Sequence, residues 1–187
     1  MEDKIRKALN YAFKKHNDQY LPDGSGRLYI DHCINVAKTA LDILGDDISK
    51  EQRQIIGATA LLHDTLEDTK ASYNQILKYF GQEIADNVLA LTKNYKLPSS
   101  ERMGDSLKRI VSTSKEAAMV KMADRIVNIT HLHPKWDYEK SKEYLEEAKL
   151  IYDALHSYSP KLADVLNSRI ENYSHLIDEK WNNANEI

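Results

Sequence analysis

The stretch Ala60-Leu-Leu-His-Asp-Thr-Leu-Glu-Asp-Thr69 sets one imidazole and three carboxyl groups within six positions, His63 to Asp68, directly behind apolar residues. On a helical wheel of about 100° per residue with His63 at zero, Asp64 falls near about 100°, Glu67 near about 40° and Asp68 near about 140°. All four then share one arc, while Leu62 and Leu66 fall opposite and can anchor the helix in a core. Carboxylates at this spacing repel one another. They also stand near the expected C-terminal end of the helix, where the dipole disfavours negative charge. The nearest cations along the chain are Lys70 after the stretch and Arg53 before it. A solvated helix end with an acidic face is one reading. The other is burial behind Ala60, Leu61 and Leu62, and buried acid has to be paired or bound. A divalent metal would supply the missing positive charge.

A metal needs further ligands. His32 lies in Tyr29-Ile-Asp-His32, and Asp124 lies in Val120-Lys-Met-Ala-Asp124-Arg-Ile-Val-Asn128, among Val120, Met122, Ala123, Ile126 and Val127. Each also has a plain explanation: a helix-start histidine, an aspartate paired with Lys121 on the same helix face, and an Asn128 bonded to backbone. Composition and spacing leave both sets open.

The elements that must position these residues read as helices throughout. Ile5, Leu9, Ala12 and Phe13 mark a first helix ending near His16, before the loop signalled by Pro22, Gly24 and Gly26. A second helix is expected from Ile30 to Leu44, stopped by Gly45. Ser49, with Gln52 three residues on, caps a third helix that carries the acidic motif. Helices near 72–80 and 82–93 follow, then a polar loop over 94–100. Helices near 101–112, 115–131 and 137–158 come next. Ser159-Pro160 starts a last helix, with an apolar stripe of Leu162, Val165, Leu166, Ile170, Tyr173 and Ile177. The expectation is an all-α single domain of eight or nine helices.

Composition limits the function. A chain of 187 residues suits one domain with a real core. No apolar run approaches a membrane span, so a soluble protein without a membrane role is expected. A net charge of −3 argues against broad nucleic-acid binding but leaves room for a local basic pocket. The N-terminal MEDKIRKALNYAFKKH lacks a signal-peptide apolar core. A single cysteine, Cys33, forms no internal disulfide and fits a reducing cytoplasm. Oligomeric state is not legible.

The order YIDH, LLHDTLEDT, VKMADRIVN resembles the HD-domain metal phosphohydrolases. More narrowly, over roughly residues 1–156, it is similar to the hydrolase domain of the RelA/SpoT family and its single-domain relatives, the small alarmone hydrolases. The resemblance implies an all-helical HD fold, expected over 1–158; residues 159–187, which the resemblance does not reach, are expected from their own pattern as a C-terminal helix packed on or extending the domain. It implies a divalent metal, Mn²⁺ first, on His32, His63, Asp64 and Asp124. It implies Glu67 and Asp68 acting on the attacking water, and Tyr29, Lys96, Asn128 and Tyr144 on the substrate side; Arg27 and Lys121, read from the residues themselves, join Lys96 as candidates to neutralise substrate charge. The implied reaction removes the 3′-pyrophosphate of guanosine tetra- or pentaphosphate. No synthetase segment accompanies the motifs, so hydrolysis alone is expected. One stretch departs from the family. Where relatives carry a basic cluster, this chain reads Asn17-Asp-Gln-Tyr-Leu-Pro-Asp-Gly-Ser-Gly26, with Arg27 the only cation nearby. The alternative reading is therefore an HD-type phosphatase acting on another 2′- or 3′-phosphorylated nucleotide, such as a dinucleotide cofactor phosphate.

Overall fold

A computed structural model describes residues 3–181. Among these residues the chain forms nine helices of eight residues or more and one single turn, with no sheet. Helix α1 spans Lys4–Lys15, α2 Ile30–Leu44, α3 Lys50–Leu62 and the single turn α4 Thr65–Asp68. Then come α5 (Tyr73–Phe80), α6 (Gln82–Leu91), α7 (Ser99–Thr113), α8 (Lys115–Asn128), α9 (Tyr138–Leu155) and α10 (Pro160–Trp181). Short 3₁₀ turns follow α2 and α9. The all-α expectation holds.

Two helices form the centre. Residues 55–62 of α3 and 116–126 of α8 are buried without interruption. A helix buried all round has to be surrounded, and α1, α2, α6 and α8 pack about α3. Gly57 eases the approach of α1, because a Cβ there would lie 2.7 Å from Ile5 Cδ1. Groups placed at the end of α3 or in the middle of α8 are thus carried by the most enclosed parts of the molecule.

Helix starts follow the sequence. Ser49 and Gln52 form the reciprocal capping box of α3, and Ser72 and Gln75 do the same for α5. The ends of α1 at His16 and of α2 at Gly45 follow it too, whereas three later ends depart from it. The acidic motif is not one continuous helix: α3 stops at Leu62, and α4 restarts at Thr65. Thr65 Oγ1 donates to the Leu62 carbonyl at 2.6 Å, a local bond that competes with the helical ladder. Likewise α6 ends at Leu91, where Thr92 turns extended and its hydroxyl donates to the Val88 carbonyl. Helix α8 ends at Asn128, before His131.

The loop after α1 folds back on itself through an isolated bridge between Tyr20 and Leu28. Gly24 and Gly26, at φ 81° and 73°, make its turn, a backbone region costly for other residues. In α10, Leu162, Leu166, Ile170, Tyr173 and Ile177 are buried in the same core as the other helices, and Val165 is half-buried. Residues 182–187 of the expected C-terminal segment lie outside the described residues. No described helix is long and apolar enough to cross a membrane.

Candidate metal centre and active site

Four elements converge on one point. The first turn of α2 supplies His32, the break between α3 and α4 supplies His63 and Asp64, and the buried middle of α8 supplies Asp124. His63 Nε2 lies 2.9 Å from Asp64 Oδ2 and 3.7 Å from Asp124 Oδ1. His32 Nε2 lies 3.4 Å from Asp124 Oδ1 and 3.7 Å from Asp64 Oδ2. Donor atoms of His32, His63 and Asp124 all fall within 4.8 Å of one another.

The tautomer of His63 bears on what this cluster can hold. Its Nδ1 is 2.7 Å from the Ala60 carbonyl, which only accepts, so Nδ1 carries the hydrogen. In the neutral ring Nε2 then presents a lone pair to two carboxylates. That atom is buried and has no hydrogen-bond partner among the described residues. Lone pair against lone pair at 2.9 Å needs a cation between them. Without a metal, a proton takes that place. Burial opposes it, but Asp64 and Asp124 overcome burial and push the imidazole up to about 9. Burial would likewise raise both carboxyls. His63 instead pulls Asp64 below the usual range, and Lys121 with His32 does so for Asp124. Two imidazole nitrogens and two carboxylates form a mixed shell that suits a divalent first-row metal. The residues present fit the group.

A second layer orients the ligands. The Tyr29 hydroxyl donates to Asp64 Oδ2 at 2.6 Å, and Asn128 Nδ2 donates to Asp124 Oδ1 at 2.6 Å. Lys121 does pair with Asp124, at 3.2 Å, but through Oδ2, which leaves Oδ1 toward the imidazoles. The ion pair of the plain reading is thus present, and it leaves Oδ1 of Asp124 beside both imidazoles. Cys33 also lies close to His63 and Asp64, and burial followed by Asp64 raises its thiol above the ordinary range.

The two remaining acids differ in environment. Glu67 accepts from the Lys93 N–H at 2.9 Å, the Lys93 ammonium at 3.1 Å and the Tyr95 hydroxyl at 2.9 Å. Its compensating cation comes from 26 residues further on. No carboxylate contact of Asp68 is found among the described residues. Burial, then the charges of Asp64 and Glu67, push its carboxyl up to about 6.

These groups line one cavity of about 250 Å³, with Tyr29, Asn128 and Tyr144 on its walls. Lys93, Lys121 and Arg125 supply its cations. Arg125 is buried, pairs with Glu147 at 3.1 Å and lies over the Tyr144 ring at 3.9 Å. Lys96 is exposed on the same loop as Lys93 and does not line this cavity. Arg27 is tied to Asp23 at 3.0 Å and borders a larger adjoining groove. Sequence reasoning passed over Lys93, Tyr95 and Arg125. Arg125 was within sight, beside Asp124 in an otherwise apolar helix. Nothing local marks Lys93.

The HD domain family model matches residues 8–157. The chain belongs to the HD domain family. Within this family it is similar to the guanosine-3′,5′-bis(diphosphate) 3′-pyrophosphohydrolase MESH1 of Danio rerio, 31% identical over 87% of this chain and 89% of that protein. The corresponding enzyme of Aquifex aeolicus is 30% identical over 82% of this chain, which spans 21% of that longer protein. A solved structure of a metazoan ortholog of SpoT that hydrolyzes ppGpp superposes with a TM-score of 0.79 at 28% identity, over 92% of this chain and 96% of that one. The HD signature is the pair His63-Asp64, which sits in this family member at the break between α3 and α4.

Proposed function

We propose that this HD-family protein is a metal-dependent hydrolase that removes the 3′-pyrophosphate of guanosine tetra- or pentaphosphate. The observation that carries the reading is the buried convergence of His32, His63, Asp64 and Asp124 about an unpartnered imidazole nitrogen. The likeness to MESH1 over nearly the whole of both chains supports the substrate. Mn²⁺ is the proposed metal, held by those four side chains. When bound, it would acidify a water and withdraw charge from a phosphoryl oxygen.

The chain's own residues do the rest. Asp68 accepts the proton of the attacking water, because its carboxyl is raised toward neutrality and makes no ion pair among the described residues. Glu67 acts with it by anchoring Lys93, whose ammonium faces the cavity and the substrate phosphates. Tyr29 and Asn128 hold Asp64 and Asp124 beside the nucleotide, and Tyr144, backed by Arg125, offers a ring face. Arg27 and Lys96 complete the substrate side from the rim. The hydrolase unit is assigned to residues 1–158, and helix α10, Pro160–Trp181, packs on it against α9, α8 and α2. The protein acts on a small nucleotide, and a cytoplasmic location goes with its free, buried Cys33.

The test is a Mn²⁺-supported screen over phosphorylated nucleotides with products identified. Guanosine 5′-diphosphate plus pyrophosphate from guanosine 3′,5′-bis(diphosphate) is the expected result. Failure to cleave it, together with orthophosphate release from a 2′-phosphorylated dinucleotide, would put the phosphatase reading in its place.

A further inference from the structure

Gln19 stands at a junction just outside the metal cluster. Its backbone N–H donates to the His16 carbonyl at 3.0 Å, and its carbonyl accepts from the Tyr29 N–H at 2.9 Å. Its side chain joins two further groups. Nε2 lies 2.5 Å from the Asp68 carbonyl oxygen, and Oε1 lies 2.5 Å from His16 Nδ1. A carbonyl only accepts, so the atom facing Asp68 has to be the amide nitrogen. The amide oxygen then faces His16, whose Nδ1 must carry the ring hydrogen. His16 Nε2 is left as a lone pair, buried and without a hydrogen-bond partner among the described residues, on a residue only 1% exposed. A buried unpaired acceptor is destabilising, and here it goes with a tautomer that Gln19 imposes. The His16 ring packs 5.1 Å from that of Tyr29, whose hydroxyl holds Asp64.

Turn α4, which presents Glu67 and Asp68, is four residues long, too short to be stable by itself. Its last carbonyls have no helical partner, and Gln19 Nε2 takes that of Asp68. The same side chain, through His16 and Tyr29, supports the other end of the turn at Asp64.

We propose that Gln19 is a positioning residue of the acidic turn, setting the distance of Asp68 from His63 and Asp64 while Lys93 and Tyr95 hold Glu67. This rests on the hydrolase reading above. A role limited to closing the loop is carried by the backbone bonds of Gln19, which a side-chain substitution leaves in place.

Gln19→Glu separates the two roles. A carboxylate still accepts from His16 Nδ1–H but turns a second oxygen against the Asp68 carbonyl. Turnover should fall about ten- to a hundredfold, the scale of a small misplacement of reacting groups. KM should stay within about threefold, since the loss belongs to the chemical step. Stabilisation of the protein by Mn²⁺ alone, read as a thermal shift, should persist. Unchanged turnover, or a thermal shift lost in parallel with turnover, overturns the proposal. The comparison uses whichever nucleotide the wild type cleaves fastest, so a wrong substrate assignment changes the substrate and not the ratio. A wild type that cleaves none overturns the hydrolase reading instead. The ¹⁵N spectrum of His16 in the unmodified protein then decides, because it needs neither turnover nor a variant. The Nδ1–H tautomer is expected, and an Nε2–H tautomer refutes the junction.

Discussion

At the scale of single residues, the centre is an exercise in which atom holds the positive charge. His63 Nε2 lies against Asp64 and Asp124, so either a proton or a metal occupies the space between them. His63→Ala should therefore abolish the thermal shift given by Mn²⁺ alone and destabilise the metal-free protein, since two buried carboxylates lose their partner. Persistence of the Mn²⁺ shift would remove His63 from the ligand set. The acid pair divides differently. Glu67 is held by three donors, whereas Asp68 is raised to about 6. The proton-accepting form of Asp68 is the ionised one, so activity is present above its pKa and lost as pH falls through it. A bound divalent cation favours the carboxylate and moves this limb below about 6. For stability the sign is opposite: the folded state holds this proton more tightly than the unfolded chain, so the contribution is present at low pH and lost as pH rises through about 6. Asp68→Asn should lower turnover at least about a hundredfold and erase the acid limb. A limb that survives the substitution assigns it to another group. The motif order drew attention to His32, His63, Asp64 and Asp124 in sequence, while composition and spacing alone left open whether they act together, because the break that turns His63 and Asp64 toward α2 and α8 forms only in the fold. Lys93 was not legible, because its partner Glu67 is 26 residues away and the pairing exists only after α6 packs on α3.

At the scale of elements, the site depends on how α1 meets α3. Gly57 faces Ile5 there, and an added Cβ would meet Ile5 Cδ1 at 2.7 Å and Cγ1 at 2.9 Å, so the Ile5 side chain would have to shift. Gly57→Ala places a methyl 2.7 Å from Ile5 Cδ1 and should destabilise the fold by about 1–3 kcal/mol, despite the better helix propensity of alanine. Ile5→Ala opens the space. The double variant should be less destabilised than the two single losses added, a non-additivity read by denaturant unfolding. Additive losses would show that the contact does not limit the approach. Helix starts were legible because capping boxes such as Ser49 with Gln52 are local in sequence. The break at His63-Asp64 was not, because Thr65 scores as an ordinary helix residue until its hydroxyl takes the Leu62 carbonyl. That break matters to the chemistry. It lets Asp64 face the imidazoles while Glu67 turns toward Lys93, a divergence the continuous wheel did not contain.

At the scale of the whole molecule, the open question is where the body of a nucleotide lies once its 3′ end is at the metal. A groove of about 800 Å³ adjoins the centre and shares His32, Asn128 and Tyr144 with it. It follows one face of α2 from His32 to Ile43, about 16 Å at the helical rise. Trp136, stacked on His133 at 4.8 Å, offers a base a flat wall. Three basic side chains other than histidine border the groove. Arg27 has Asp23, and Lys38 has Asp42, but Arg169 makes no ion pair or hydrogen bond among the described residues. Arg169 belongs to α10, beyond the 8–157 span of the family model. The last helix therefore supplies the one uncommitted cation of the groove, suited to the 5′-phosphates of a bound nucleotide. Arg169→Gln should raise KM for guanosine 3′,5′-bis(diphosphate) about tenfold, the low end for a charge-assisted contact on a half-exposed side chain. KM for guanosine 3′-diphosphate, which has no 5′-phosphates, should not change, and turnover should stay the same for both. An equal rise for the two substrates would place Arg169 in the scaffold of the groove. No rise for either would direct the 5′ end elsewhere and leave α10 as a purely structural cover.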